Sequence, residues 1–365
     1  MDLLQISRSQ LISEVYESEK MIIRLTNVPA ESRSYISSSL LPYLSMICDG
    51  IDDLFPMEDG GVISNGFEDI NGKSFTALIK DIRASSKLLT DKRRINKSIK
   101  ILDSEMAKLH DALINDYNAL QLAYVKISGQ ADLGVFYYKN KPFANSSQLS
   151  LYIKPFNSSL MEVRTSLFEF SRQSAMYIGG FCSKLRGPIS QLKEEDYHAD
   201  IVYKDFKRLD YIYSEETHRN IFNSAIEKGV ALYLLNMQCQ LNFALMIIDL
   251  LIEEHPLKYR IQLLIYYYSV QAIGFAFSSG YLEELKEHQE TITSVIETHK
   301  SIFIDNAFRN NLFHYRLSEE INPSLGENYF RAMVETHTST PLEKLLTTVY
   351  KEMNTVENLI QEIIY

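Results

Sequence analysis

Tryptophan is absent from this chain of 365 residues, and glycine (14) and proline (9) are scarce. Turn-rich β architectures use both residues freely at their corners, so this scarcity excludes such a fold as the main organisation and favours long helices. Cysteine occurs only as Cys48, Cys182 and Cys239, with no C-x-x-C pair and no histidine at ligand spacing. That excludes a zinc quartet and a disulfide framework, and it suits free thiols in a reducing compartment. The opening segment MDLLQISRSQLISEVYESEK lacks the basic start, long apolar stretch and small-residue cleavage site of a secretory signal, so a cytoplasmic protein is expected. Basic residues are outnumbered, 37 against 47, for a formal charge of −10. A protein that coats nucleic acid nonspecifically is therefore excluded, because such binding rests on neutralising phosphates with Lys and Arg. H-E-x-x-H, G-x-S-x-G, the Walker phosphate loop and the EF-hand loop are all missing, and no metal or cofactor is expected.

What the chain does contain is helical periodicity. Residues 2–25 and 33–55 repeat apolar positions at helical spacing around a turn at Asn27–Ser32. Gly60-Gly61, Asn65-Gly66 and Asn71-Gly72 mark a loop. A long helical pattern then runs from Ser74 to Lys126, with Ile95, Ile99, Leu102, Met106, Leu109 and Leu113 as its core-facing stripe. Between Gly129 and Ser159 the pattern weakens: FYYKNKPF reads as a small hairpin or an irregular connector, and Asn145 and Asn157 open cap-like triplets. A helix is expected over Leu160–Leu185. Two long uncharged runs follow, Gly229–Ile248 and Ile261–Leu282, joined by the charged turn Asp249–Arg260. Each is long enough to span a bilayer. Asn236, Gln238, Gln240 and Asn242 crowd the first run and Gln262 and Gln271 the second, so an antiparallel pair at the centre of a bundle is expected in place of a membrane hairpin. The last helix starts near Pro341, capped by Ser339 or Thr340. The expected fold class is all-α: a multi-helix bundle with a helical region over residues 1–160 and a second helical domain over 161–365.

Only Arg309-Asn310-Asn311-Leu312-Phe313-His314 sets a permanent cation and a titratable imidazole at a spacing that suggests chemistry. An arginine followed by four to six residues and a histidine arises about once by chance in a chain of this length, and Arg331 with His337 is a second loose copy. The first copy is rarer by more than about tenfold, because Asn310 follows the arginine directly and three residues separate it from His314. Phe308 to Leu317, FRNNLFHYRL, resembles the R-N-x-x-x-H signature of the HEPN superfamily of helical, nucleic-acid-associated proteins. The resemblance implies a metal-independent endoribonuclease of bacterial defence, toxin–antitoxin or abortive-infection systems, working as a homodimer on RNA and held in check by an antitoxin or other regulatory protein. It implies Arg309 and His314 as the catalytic pair, with Asn310 and Tyr315 in support. Some members of that superfamily are not catalytic, so a regulator that binds RNA or protein is the alternative.

Chemistry independent of the resemblance agrees. The 2′-hydroxyl of RNA attacks its own phosphate once a base removes its proton, and a guanidinium stabilises the developing charge. Five residues along an ideal helix set Arg309 and His314 about 140° apart, so the arginine's length, a local distortion or a second subunit has to close the gap. The competing reading pairs Arg309 with Asp305 and makes His314 structural. A third reading, an all-helical scaffold that recruits a basic partner through its acidic N-terminal half, requires a buried His314. The basic run Lys87, Lys92, Arg93, Arg94, Lys97 and Lys100 is a secondary RNA-binding candidate, with Lys92, Arg93, Arg94 and Lys97 at its centre; a solvated helix face is the alternative.

Overall fold

The apolar periodicity of the N-terminal segment becomes two packed helices, α1 (Leu3–Leu25) and α2 (Ala30–Leu54), in a computed structural model that describes residues 2–56, 63–86, 95–186, 201–215, 221–222, 226–278, 287–304, 306–317 and 329–365. Asp2 caps α1 through Leu4 N–H, and Arg33 closes the turn by donating to the carbonyls of Thr26 and Val28. α2 carries Pro42 in its interior. A proline there has no N–H for the carbonyl four residues back, and the Tyr152 hydroxyl donates to that orphan, Ser38 O, at 3.1 Å.

The single helix expected from Ser74 to Lys126 is instead at least three: α3 (Phe75–Ser86), α4 (Ile95–Ile114) and α5 (Ala119–Ser128). The break before α5 is chemical. Asn118 accepts from Leu120 N–H and Gln121 N–H while Gln121 reaches back to the Asn118 N–H, a capping box that restarts the helix. Ile95, Ile99, Leu102 and Met106 of α4 are buried as their spacing predicts.

FYYKNKPF forms a hairpin, β1 (Leu133–Tyr138) and β2 (Lys141–Asn145). Lys139 and Asn140 both take positive φ, 48° and 66°, as a two-residue hairpin turn requires. Asn145 then caps a 3-10 segment (Ser146–Tyr152) with Gln148 completing the box. The structure corrects the all-α expectation at this point: it is 75% helical but holds a small sheet. A third strand, β3 (Phe206–Tyr211), pairs antiparallel with β1 and gives the order β2-β1-β3, with Leu133 opposite Tyr211. Between the hairpin and β3 runs α6 (Val163–Arg186). The sheet joins residues on either side of position 160, and buried apolar side chains from Ile6 to Ile364 form one cluster.

The two uncharged runs form α7 (Lys228–Leu251) and α8 (Pro256–Ser278). Both pass for membrane spans by length and composition, yet their apolar windows are 89% and 61% buried inside the protein. Several of their amide N–H groups find partners. Gln238 and Asn242 donate to Glu357 at 3.1 and 3.2 Å, Asn236 to Ser147 at 2.9 Å, and Gln262 to Asp249 at 3.1 Å. Gln262 lies against Ala244 and Asp249 while Tyr268 and Ala272 lie beside Gln240 and Tyr233, so the pair is antiparallel. α7 takes one wider π turn at Phe243–Ile247. After α8 come α9 (Gln289–Ile302), α10 (Asn306–Phe313), α11 (Tyr329–Thr338) and α12 (Leu342–Ile364). The expected face of α12, Leu345 to Ile363, is buried against α7, α8, α9 and α11. Neither Ser339 nor Thr340 caps it. Pro341 holds the cap position without a side-chain bond, and Glu335 accepts from Leu342 N–H at 3.3 Å instead.

Candidate functional site

α10, the helix that carries the motif, has only eight residues, so its position depends on what holds its ends. Arginines from other helices satisfy its last carbonyls. Arg260 of α8 donates from Nη1 to Asn311 O at 2.9 Å and Leu312 O at 2.7 Å, and Arg83 of α3 donates from Nη2 to Phe313 O at 2.8 Å. Arg260 is fully buried, paired with an equally buried Glu14 of α1 at 2.9 Å. Gln10 and the Tyr315 hydroxyl also donate to Glu14, at 2.9 and 2.7 Å. Burial opposes the Arg260 charge most strongly, but the Glu14 carboxylate together with Tyr315 and Tyr329 leaves the guanidinium above its ordinary range. Burial likewise pushes the Tyr315 phenol far up, so it stays a neutral donor. Tyr315 thus supports the motif from below, as a buried strut under the residue that precedes it.

The side chains of the motif diverge. Arg309 is half-buried, with its guanidinium 5.0 Å from the Phe313 ring centroid and 5.7 Å from that of Tyr267. Its Nε is enclosed and has no hydrogen-bond partner among the described residues. Asp305, the carboxylate considered for it, lies outside the described residues. Asn311 is buried, with Nδ2 3.1 Å from His337 Nε2. His337 itself stacks on Phe308, and Arg331 pairs with Glu335 and Glu343, so the second loose copy serves packing and helix ends.

His314 is exposed, immediately past the end of α10, and its N–H donates to Asn310 O at 2.9 Å. It opens onto a cleft of about 620 Å³ whose wall includes Asn310, Arg83, Arg316, Asp49 and Asp53. Arg309 is not in that wall. Arg83 pairs with Asp49, and Arg316 with Asp53 at 3.0 Å. Arg83 Nη2 also stands 3.4 Å from His314 Nδ1. A guanidinium only donates, so this contact fixes Nδ1 as the unprotonated nitrogen and places the ring proton on Nε2. Burial lowers the Arg83 pKa from its ordinary value, a sign of how far this cation is withdrawn from water.

The structure therefore brings His314, Asn310 and the buried Tyr315 to the wall of one cleft and sends Arg309 to an aromatic seat. Of the basic run, Lys92, Arg93 and Arg94 lie outside the described residues. Lys97 and Lys100 are exposed on α4 and do not line the His314 cleft. Sequence reasoning missed Arg83, Arg316, Asp49 and Asp53. The Asp49–Asp53 spacing places both on one face of α2, and Arg316 follows the histidine by two residues, but nothing local ties Arg83 to a residue 231 positions away. The three thiols are buried and free, and burial pushes Cys182 and Cys239 up to about 12, so they are inert. Compared with family models, curated proteins and solved structures, the chain matches none of them.

Proposed function

We propose that the His314 cleft cleaves RNA without a metal, in the manner the HEPN-like motif implies, with Arg83 and Arg316 taking the phosphate-binding role expected of Arg309. One observation carries this reading: an exposed imidazole shares an open cleft with two arginines, each held by a carboxylate it can exchange for a phosphate. In the resting cleft Arg83 covers the lone pair of Nδ1. A phosphodiester draws the guanidinium to its oxygens and so exposes the base as the substrate arrives. Nδ1 then takes the 2′-hydroxyl proton, O2′ bonds to phosphorus, and the bond from phosphorus to O5′ breaks. The proton returns to the leaving oxygen, giving a 2′,3′-cyclic phosphate and a 5′-hydroxyl.

A homodimer, a setting in bacterial defence and a restraining regulatory protein belong to the same proposal and rest on the motif alone, and a cytoplasmic location rests on the opening segment and the free thiols. The noncatalytic alternative has a specific support: Arg309 is packed against Tyr267 and Phe313 instead of facing the cleft. The test is cleavage of end-labelled RNA in EDTA by wild type and by His314→Ala. A fall of about 10²–10⁴-fold in the variant, with cyclic-phosphate ends on the wild-type products, supports the ribonuclease. Binding of RNA by both proteins with no cutting by either supports the alternative.

A further inference from the structure

Behind the His314 cleft lies a more enclosed cavity of about 80 Å³, walled by α2, α3, the 3-10 segment, α7, α8 and Phe313. Met46 and Arg83 belong to both walls, so the two spaces adjoin. Two backbone irregularities frame the cavity. On one side is Pro42, with the Ser38 carbonyl that it frees bound by Tyr152. On the other is the π turn of α7, whose first residue Phe243 lines the space beside Gln240 of the preceding turn. Such turns recur at functional sites, because they widen a helix at a cost in packing.

The lining is amphipathic. Pro42, Leu151, Phe243 and Leu264 supply apolar surface, and Ser39, Tyr43, Gln148 and Gln240 supply hydroxyls and amides. Ser39 Oγ is enclosed and has no hydrogen-bond partner among the described residues. The same holds for Ser269 Oγ in a small extension beyond Gln240 and Tyr268. Unmet hydroxyls inside a protein cost free energy and call for a partner. Arg83 is the one charged residue in the described wall, and Asp49 already neutralises it. The occupant that fits is therefore uncharged and able both to donate and to accept. At about 80 Å³ the space is several times the roughly 10–15 Å³ that a single water requires, so it admits more than one water.

We infer that the cavity receives a single base of a bound RNA strand, the base flanking the phosphate held at His314. The inference rests on the ribonuclease reading of the cleft for its geometry. Phe243, Tyr43 and Tyr268 line the space with aromatic rings, and the Ser39 hydroxyl, the Gln240 amide and the Gln148 amide N–H groups are donors and acceptors for a base edge. An aliphatic occupant would leave the hydroxyls unmet, and an anion would compete for Arg83 with the phosphate held in the cleft.

The probe is the four ribonucleosides, which lack phosphate, titrated against the full chain by saturation-transfer NMR. Wild type and His314→Ala should bind at least one nucleoside alike, since the imidazole belongs to the cleft. Ser39→Leu, which fills the cavity, should weaken that binding by about tenfold or more, the scale of excluding one stacked base. Ser39→Ala removes only the hydroxyl and should weaken it less, a comparison that survives if Ser39→Leu folds poorly. No nucleoside signal, or a signal indifferent to both Ser39 variants, overturns the inference and leaves a cavity filled by water. Nucleoside binding without RNA cleavage keeps the base site and removes the ribonuclease reading. Cleavage by wild type with no nucleoside binding keeps the ribonuclease and removes the base site.

Discussion

Glu14 and Arg260 are opposite charges with neither side chain exposed, and they hold the motif from beneath. Removing one partner of such a pair strands the other, at a cost of about 3–5 kcal/mol. Glu14→Gln should therefore lower the melting temperature sharply and release Tyr315, whereas Tyr315→Phe, which loses one hydrogen bond, should cost about 1–2 kcal/mol. Gly50 is the companion residue on α2: a Cβ there would stand 2.5 Å from Tyr315 Cδ2. Helix propensity favours Gly50→Ala by about 0.5–1 kcal/mol, so a destabilised variant in thermal melting identifies the Tyr315 contact as the winning effect. A stabilised one contradicts the seat assigned to that ring.

The helix that supplies Arg260 begins with a titratable cap. His255 Nδ1 accepts from Leu257 N–H at 3.2 Å, which leaves the ring proton on Nε2 facing Ser13 Oγ at 3.0 Å. That tautomer makes the serine an acceptor, so the two do not form a nucleophile and base. Burial pushes the His255 pKa below its ordinary value; the Glu14 charge opposes the shift and Lys20 adds to it. The folded protein thus prefers neutral His255. Its contribution to stability is present above the unfolded value of about 6.5 and is lost as pH falls through the lower folded value. The melting temperature should drop between pH 7 and pH 5, and His255→Asn, a cap that does not titrate, should flatten that part of the curve. Elements were legible where burial follows a regular period. α1, α2, α6 and the stripes of α4 and α12 show it, and so does the hairpin turn at Lys139-Asn140. β3 was not legible, because Phe206–Tyr211 is an edge strand with mostly exposed side chains and a partner far away in sequence.

Across the whole molecule, charge and the candidate site pull in different directions. The chain is acidic, yet its open cleft presents two arginines, each matched to an aspartate. With two phosphate contacts at about 0.7 each, RNA affinity should fall with salt at a logarithmic slope near 1.4, much shallower than for a basic RNA-coating surface. A steep slope in filter-binding titrations would place the RNA on the basic run of residues 87–100 instead. Part of the site was visible in the chain: His314, Asn310 and Tyr315 line the cleft. Arg316 lies two residues past the histidine but carried no motif signal, while Asp49, Asp53 and Arg83 come from α2 and α3, brought in by the bundle's packing, and no local pattern encodes a contact between Arg83 and His314.

Which arginine serves His314 is the central claim, and one assay addresses it: single-turnover cleavage of a labelled RNA in EDTA by wild type, Arg83→Met and Arg309→Met, each checked for folding. The cleft geometry predicts that Arg83→Met loses about 10²–10³-fold in rate, the usual scale for one charge-stabilising donor, while Arg309→Met keeps most of its activity and loses about 0.5–1 kcal/mol of stability with its aromatic contacts. Loss of cleavage in Arg309→Met with full activity in Arg83→Met would contradict the account.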